Sequence, residues 1–420
     1  MTTLDRTQPP TFHLSSDYSL AHPEHFTLAN GCDLFVFRQL EQEVVKMELV
    51  FDAGKWYESA PGISHFTSQM LPKGTEGKSS FQIAEALDSL GAHLEISPGF
   101  DVVTLSLFSL RNKLLAAVKI LSEMLEKPVF DDAELRQMKE IFVQGLRVNN
   151  KKSSVVASKT IRQTIFGNVH PYGNVVEEED VAEVTAKGIR EFYHTSFSLQ
   201  SVYLIGKLTE DELQEVVGLL PLVRPKRGAR RTFEIITGAS QRITQADSVQ
   251  ASIRLGKRCI LKEDRKDYFD AVMFNHILGG FFGSRLMKNI REEKGLTYGI
   301  HSSMNHFLHD SFWVISAEVN QANAIQAIAE IKHEISMLQD KLVPADELEI
   351  AINYFIGSWQ SENATMFAIA ERIKNIHLWG LPAEYYTHLM DHLRHITPEQ
   401  VQMIAKAHFD AGDLVEILVA

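Results

Sequence analysis

A histidine followed four residues later by a glutamine opens the chemistry of this chain: His65-Phe66-Thr67-Ser68-Gln69, inside a stretch predicted to be a short helix over 63–71. Positions i and i+4 share one helix face, so two imidazoles placed there could hold a metal ion from one side. A carboxylate at i+3 would stand beside them and take a proton from a metal-bound water. The chain supplies only the first of these groups. Ser68 stands where the carboxylate would be, and a serine is no base near neutral pH without help. Gln69 stands where the second imidazole would be, and an amide oxygen is a poor zinc ligand beside an imidazole. Taken alone, His65 is an ordinary packed or surface histidine.

A second segment, Gly283-Ser284-Arg285-Leu286-Met287-Lys288-Asn289-Ile290-Arg291-Glu292-Glu293-Lys294-Gly295-Leu296-Thr297-Tyr298, places an arginine seven residues before a tyrosine. A guanidinium can hold a peptide carbonyl or a developing oxyanion, and a phenol can donate a second hydrogen bond there. The competing reading pairs Arg291 with neighbouring acids and makes Tyr298 a half-buried strand residue. Other candidates carry less. His301, His306 and His309 fit neither a helical face nor strict strand alternation. His170-Pro171-Tyr172-Gly173 reads as a Pro turn. Phe269, Met273 and Leu278 read as core. Cys32 and Cys259 form no Cys-x-x-Cys pair, which excludes a cysteine zinc site and favours two free thiols over one disulfide.

The elements that must position these residues come twice. In the first half an alternating strand, Val44-Val45-Lys46-Met47-Glu48-Leu49-Val50-Phe51, precedes the His65 helix, which stops at Pro72. A helix over 81–90 ends at Gly91. Strands at 93–96 and 102–107 flank the turn-like Ser97-Pro98-Gly99. Amphipathic helices follow at 114–125, 133–148, 154–166 and 185–197, and the half closes on the strand 201–205. The second half repeats this with strands at 250–255, 298–302, 312–319 and 414–419 and helices at 269–278 and 322–338. Val343-Pro344-Ala345-Asp346-Glu347-Leu348 mirrors Phe130-Asp131-Asp132-Ala133-Glu134-Leu135, each leading into a helix. The reading is α+β: two homologous α/β-sandwich repeats, each an antiparallel-rich sheet with helices, over 1–220 and 247–420. The stretch 221–246, with its basic run at 224–231, is read as the linker.

Composition narrows the function classes. The 420 residues are 45% hydrophobic and 23% charged, ordinary for a soluble globular protein, with a formal net charge of -12. That acid excess speaks against a nucleic-acid binder, and the single short basic run reads as a solvated face. No apolar run approaches membrane length and no signal peptide is visible, so the expectation is a cytoplasmic protein without membrane contact.

Three segments carry a resemblance to a known family. Gly62-Ile63-Ser64-His65-Phe66-Thr67-Ser68-Gln69-Met70-Leu71-Pro72-Lys73-Gly74-Thr75 resembles the H-x-x-E-H segment of the insulinase (pitrilysin) zinc metallopeptidases. The resemblance puts an acidic pair, one member of it the third zinc ligand, at the end of the helix led by Phe130; here Gln144 and Gly145 fall there, with Glu140 about one turn away. The segment from Ser284 to Tyr298 is similar to the family's second-half motif nearly position for position, which implies that Arg291 and Tyr298 grip a bound peptide opposite the zinc helix. The pattern is that of the family's non-catalytic subunits, which lack the zinc motif and keep the Arg/Tyr pair. It implies no cofactor in this chain, zinc in a partner subunit, a peptide substrate and a heterodimer, with a homodimer open because the same surfaces could pair with themselves. Two other readings stay open: a peptide-binding or assembly protein of the same fold without proteolysis, and an active zinc peptidase with a non-standard site.

Overall fold

The computed structural model describes residues 18–38, 42–220, 232–245, 248 and 250–420. Eleven strands among them form two sheets. The first contains β1 (Glu24–Thr27), β2 (Asp33–Phe37), β3 (Val44–Phe51), β4 (His93–Pro98), β5 (Val103–Leu110) and β6 (Leu199–Ile205) in the spatial order β1-β2-β6-β3-β5-β4. The second contains β7 (Gln241–Ile243), β8 (Gln250–Arg258), β9 (Thr297–His306), β10 (Ser311–Asn320) and β11 (Val415–Val419) in the order β7-β11-β8-β10-β9. β1 aside, the sheets match strand for strand. β2 runs parallel to β6 as β7 does to β11, and all other pairings are antiparallel. This is the duplicated α+β architecture read from the sequence.

Several local features differ from that reading. β2 was not anticipated; its Asp33-Leu34-Phe35-Val36-Phe37 run enters after Gly31, which takes φ +84. β7 lies within the stretch read as the linker and pairs with β11, while the basic run at 224–231 lies outside the described residues. Ser97 and Pro98 belong to β4 rather than to a turn, and the chain reverses where the Gly99 N–H donates to the Val102 carbonyl. Proline fits there because β4 is an edge strand and Pro98 ends it. The helix over 269–278 begins earlier, as Arg265–Asn275, and continues into a π-helical turn, His276–Gly280.

The halves interlock. Helix Ser153–Phe166 leaves the first half and packs on β8 and β11, while Met366–Leu378 leaves the second and packs on β6. Alternation along β3 sends Met47 and Leu49 into the first core and Lys46 and Glu48 to the opposite face. There Glu48 accepts hydrogen bonds from Lys374 of the exchanged helix at 2.9 Å and lies 3.1 Å from Lys46. In β8, Arg254 takes the matching place, donating to Ser158 of the other exchanged helix at 3.1 Å and pairing with Glu318 at 2.9 Å. Burial alone would raise the Glu48 pKa, but Lys374 and Lys46 outweigh it and hold the carboxyl below its usual range. Removing Lys374 would leave the buried carboxylate to Lys46 alone, a loss of about 1.5–3 kcal/mol.

Candidate functional site

The motif helix, Ile63–Met70, lies between β4 and helix Ala186–Ser196. Its N-terminal turn is held by Glu58, whose carboxylate accepts the Ser64 N–H at 3.0 Å. Burial pushes the Glu58 carboxyl up to about 7, partly offset by the neighbouring Lys55 charge. Every motif position is occupied by packing. The His65 ring stands 4.8 Å from Phe142 and 5.4 Å from Phe66, and burial lowers its pKa. Ser68 is fully buried, its hydroxyl donating to the His65 carbonyl at 2.9 Å. Gln69 Nε2 donates to the Ile96 carbonyl at 3.0 Å, so this amide clamps the helix to β4.

The facing helix, Asp132–Asn149, settles the acidic-pair position geometrically. Its side chain toward the motif is Phe142, which touches both His65 and Phe66. Residues three apart share a helix face, so Gly145 lies on the Phe142 face and the exposed Gln144 does not. Gly145 has no side chain to offer as a ligand, although a Cβ there would meet nothing within 4 Å. Among the described residues no group of three or more His, Cys, Asp or Glu is placed to hold a metal ion. His65, Ser68, Gln69, Gln144 and Gly145 therefore do not fit zinc. Phe142, which fills the place, escaped the sequence reading because an apolar residue in an amphipathic helix looks like core.

The second-half segment is built differently. Arg285 makes a two-pronged pair with Glu347, both bonds 2.8 Å, and Asn289 Nδ2 donates to Glu334 at 2.6 Å. These bonds fix the π-helical turn Met287–Glu293, and Gly295 at φ +62 lets the chain leave it for β9. Arg291 lies over the Phe282 ring at 4.7 Å and makes no ion pair among the described residues. Tyr298 is 92% exposed. It stands at an irregularity in β9, where the pairing with β10 shifts between Val319 and Ala317. Such bulges re-aim side chains, here into solvent. The competing reading of this pair is thus incorrect: Arg291 is not tied to acids and Tyr298 is not half buried. Phe282, itself 58% exposed, supports Arg291 from an irregular turn that no sequence period marks.

The remaining candidates are structural. Tyr172 is fully buried and donates to Asp101 at 2.5 Å, so the Pro turn is a core element. His306 bonds Tyr268 at 3.2 Å while the His309 ring packs on Trp56 at 4.1 Å, so each is engaged in its own contact. Both cysteines are free. No hydrogen bond, ion pair or ring contact links His65 or Gln69 to Arg291 or Tyr298.

The description "Insulinase (Peptidase family M16)" matches residues 35–177, and "Peptidase M16 inactive domain" matches residues 183–355. The chain belongs to the insulinase family, peptidase family M16. Among M16 relatives it is 22% identical to the "Non-peptidase homolog YmxG" of Helicobacter pylori, over 86% of this chain and 84% of that one. It is 23% identical to the "Uncharacterized zinc protease YmxG" of Bacillus subtilis, over 92% and 95%. The crystal structure of a peptidase M16 inactive domain from Pseudomonas fluorescens superposes with a TM-score of 0.85 at 24% identity, covering 95% of this chain and 98% of that one. A protease from Helicobacter pylori follows at 0.83 and 16%, covering 95% and 99%. These structures fix the M16 fold; no described helix is long and apolar enough to cross a membrane.

Proposed function

We propose that this chain is a non-catalytic, substrate-binding subunit that completes the site of a zinc-bearing M16 chain. The observation that carries this reading is the state of Arg291 and Tyr298. A rigid, ion-paired segment holds both, yet neither spends its polar group inside the chain. A guanidinium and a phenol so placed suit a peptide carbonyl that turns into an oxyanion during cleavage. The packed-over motif helix supports a reading in which the zinc belongs to the other chain. The relative from Helicobacter pylori, called a non-peptidase homologue, supports a chain without peptidase activity of its own.

The test is co-purification of the native complex, followed by peptide cleavage assays on this chain alone, the partner alone and the mixture. Turnover is expected only in the mixture, and Arg291→Ala should lower it about 10²–10³-fold. A partner fully active alone, with the mixture indifferent to Arg291→Ala, would overturn the shared site. Peptide binding with no turnover in any combination would favour a binding or assembly role instead.

A further inference from the structure

The second half holds a cavity of about 520 Å³ where the first half holds its packed motif. The correspondence is structural. Helix Arg265–Asn275 and its π-helical turn lie between β9 and helix Pro398–His408, as the motif helix lies between β4 and Ala186–Ser196. Asn275 clamps this helix to β9 through the Ser302 carbonyl at 3.2 Å, much as Gln69 does to β4. Phe355 stands as far from its helix cap Pro344 as Phe142 does from Asp131. Here, however, Phe355 packs on His276 at 5.2 Å and forms a wall. Gly279 lets the helix end approach β9: an added Cβ would come within 2.7 Å of the Ser302 side chain.

The walls specify a ligand. Tyr268, Tyr354, Phe355, Trp359, Tyr385 and Tyr386 surround the space with rings. Trp359 is only 8% exposed, and its buried indole N–H has no partner. A buried donor left unpaired costs about 1–3 kcal/mol, which an acceptor in the cavity would recover. Two cations, Lys262 and Arg372, also line it. The one acid among the walls, Glu362, is already bound to Arg372 at 2.7 Å. Lys262 makes no ion pair among the described residues and rests over the Trp379 ring at 4.0 Å. Its amine is held down to about 8, first by burial and then by the Arg372 charge. An aromatic cage alone would suit a cation; with Arg372 and Glu362 offsetting one another, the positive charge left at Lys262 reverses that preference. The volume is in the range of small-molecule sites.

We infer that this cavity binds an aromatic carboxylate, its ring between the tyrosine and tryptophan walls and its carboxylate on Lys262, beside the Arg372–Glu362 pair. The ligand is either a free aryl acid or the C-terminal aromatic residue of a peptide. The inference stands on the cavity and is independent of the shared zinc site.

Calorimetric titration of the full chain tests it, with N-acetyl-phenylalanine, its amide, phenethylamine, and a decapeptide ending in phenylalanine with a free or amidated terminus. The acid should bind saturably and the amide at least about tenfold more weakly. Lys262→Gln should weaken acid binding about tenfold without changing the amide, and Lys262→Arg should restore it. Trp359→Phe, which keeps a ring and removes the donor, should weaken the acid about fivefold. Thermal melts confirm that each variant is folded. Tight binding of the free-terminus decapeptide assigns the site to chain ends, and binding of the small acid alone assigns it to free aryl acids. Equal affinity for acid and amide, preference for the amine, no saturable binding of any probe, or an acid affinity unmoved by Lys262→Gln would overturn the inference.

Discussion

The same place in the fold is closed in one half and open in the other. Beside the first-half helix, Phe142 packs on His65, Ser68 is buried against the helix backbone, and Gln69 is spent on β4. Beside the second-half helix, the equivalent wall stands back around a cavity, and the segment that follows presents Tyr298 and Arg291 on its surface. Duplication gave both halves one frame. What differs is where the polar groups go: into the chain's own backbone in the first half, and toward solvent or empty space in the second. A site that has exchanged function for packing should answer to mutation as a core does, and a site kept for a ligand should not.

The sharpest way to break this contrast is to restore the lost acid. Ser68→Glu would bury a carboxylate with no cation beside it, and urea unfolding should show a loss of about 4 kcal/mol or an unfolded chain. A variant as stable as the parent would mean that the space still accepts charge, and the first-half site would not be closed.

The next largest effect is a pH dependence. Burial lowers the His276 pKa from 6.5 to about 4. The folded state therefore resists a proton that the unfolded chain accepts. This contribution is fully present above about pH 6.5 and is lost as pH falls toward about 4, some 3 kcal/mol in all. Unfolding curves between pH 7.5 and 4.5 should be flatter for His276→Leu than for the parent. Equal slopes would show that His276 is solvated and the cavity wall looser than described.

Phe142→Ala should cost about 2 kcal/mol by denaturant unfolding, since the ring is half-buried against two others. Phe355→Ala, which widens an existing cavity, should cost about half as much. The reverse order would undo the comparison. The smallest effect is expected where the proposed function is greatest. Arg291→Ala and Tyr298→Ala should each change stability by less than about 0.5 kcal/mol while sharply lowering the mixture's turnover. A large stability loss at either residue would make it a structural group.

Part of this was legible beforehand. Strand alternation at Val44 to Phe51, the Gly91 stop and the paired helix starts at Asp131 and Pro344 are local signals, and the structure carries them where they were read. β1 and β7 were missed because short edge strands bury little and repeat no pattern, and β2 because its short, continuously buried run shows no alternation. Phe142 and Phe282 were missed for a related reason: each matters for what it faces across the fold, and neither spacing nor residue type records that.

The residue types at 65, 68, 69, 144 and 145 were enough to establish that the zinc motif lacks its acid and its second imidazole, because ligand chemistry is a property of side chains. Tertiary structure decided the rest. It showed that the face shared by Phe142 and Gly145 is the one turned to the motif helix, because spacing says which residues share a face and only a contact says what that face meets. It also turned the polar stripe of β3 into a buried one. Lys46 and Glu48 alternate with core residues as a solvated face would, yet the exchanged helix carrying Lys374 covers them. A strand's own sequence dictates which residues share a face, and only the rest of the chain determines what that face meets.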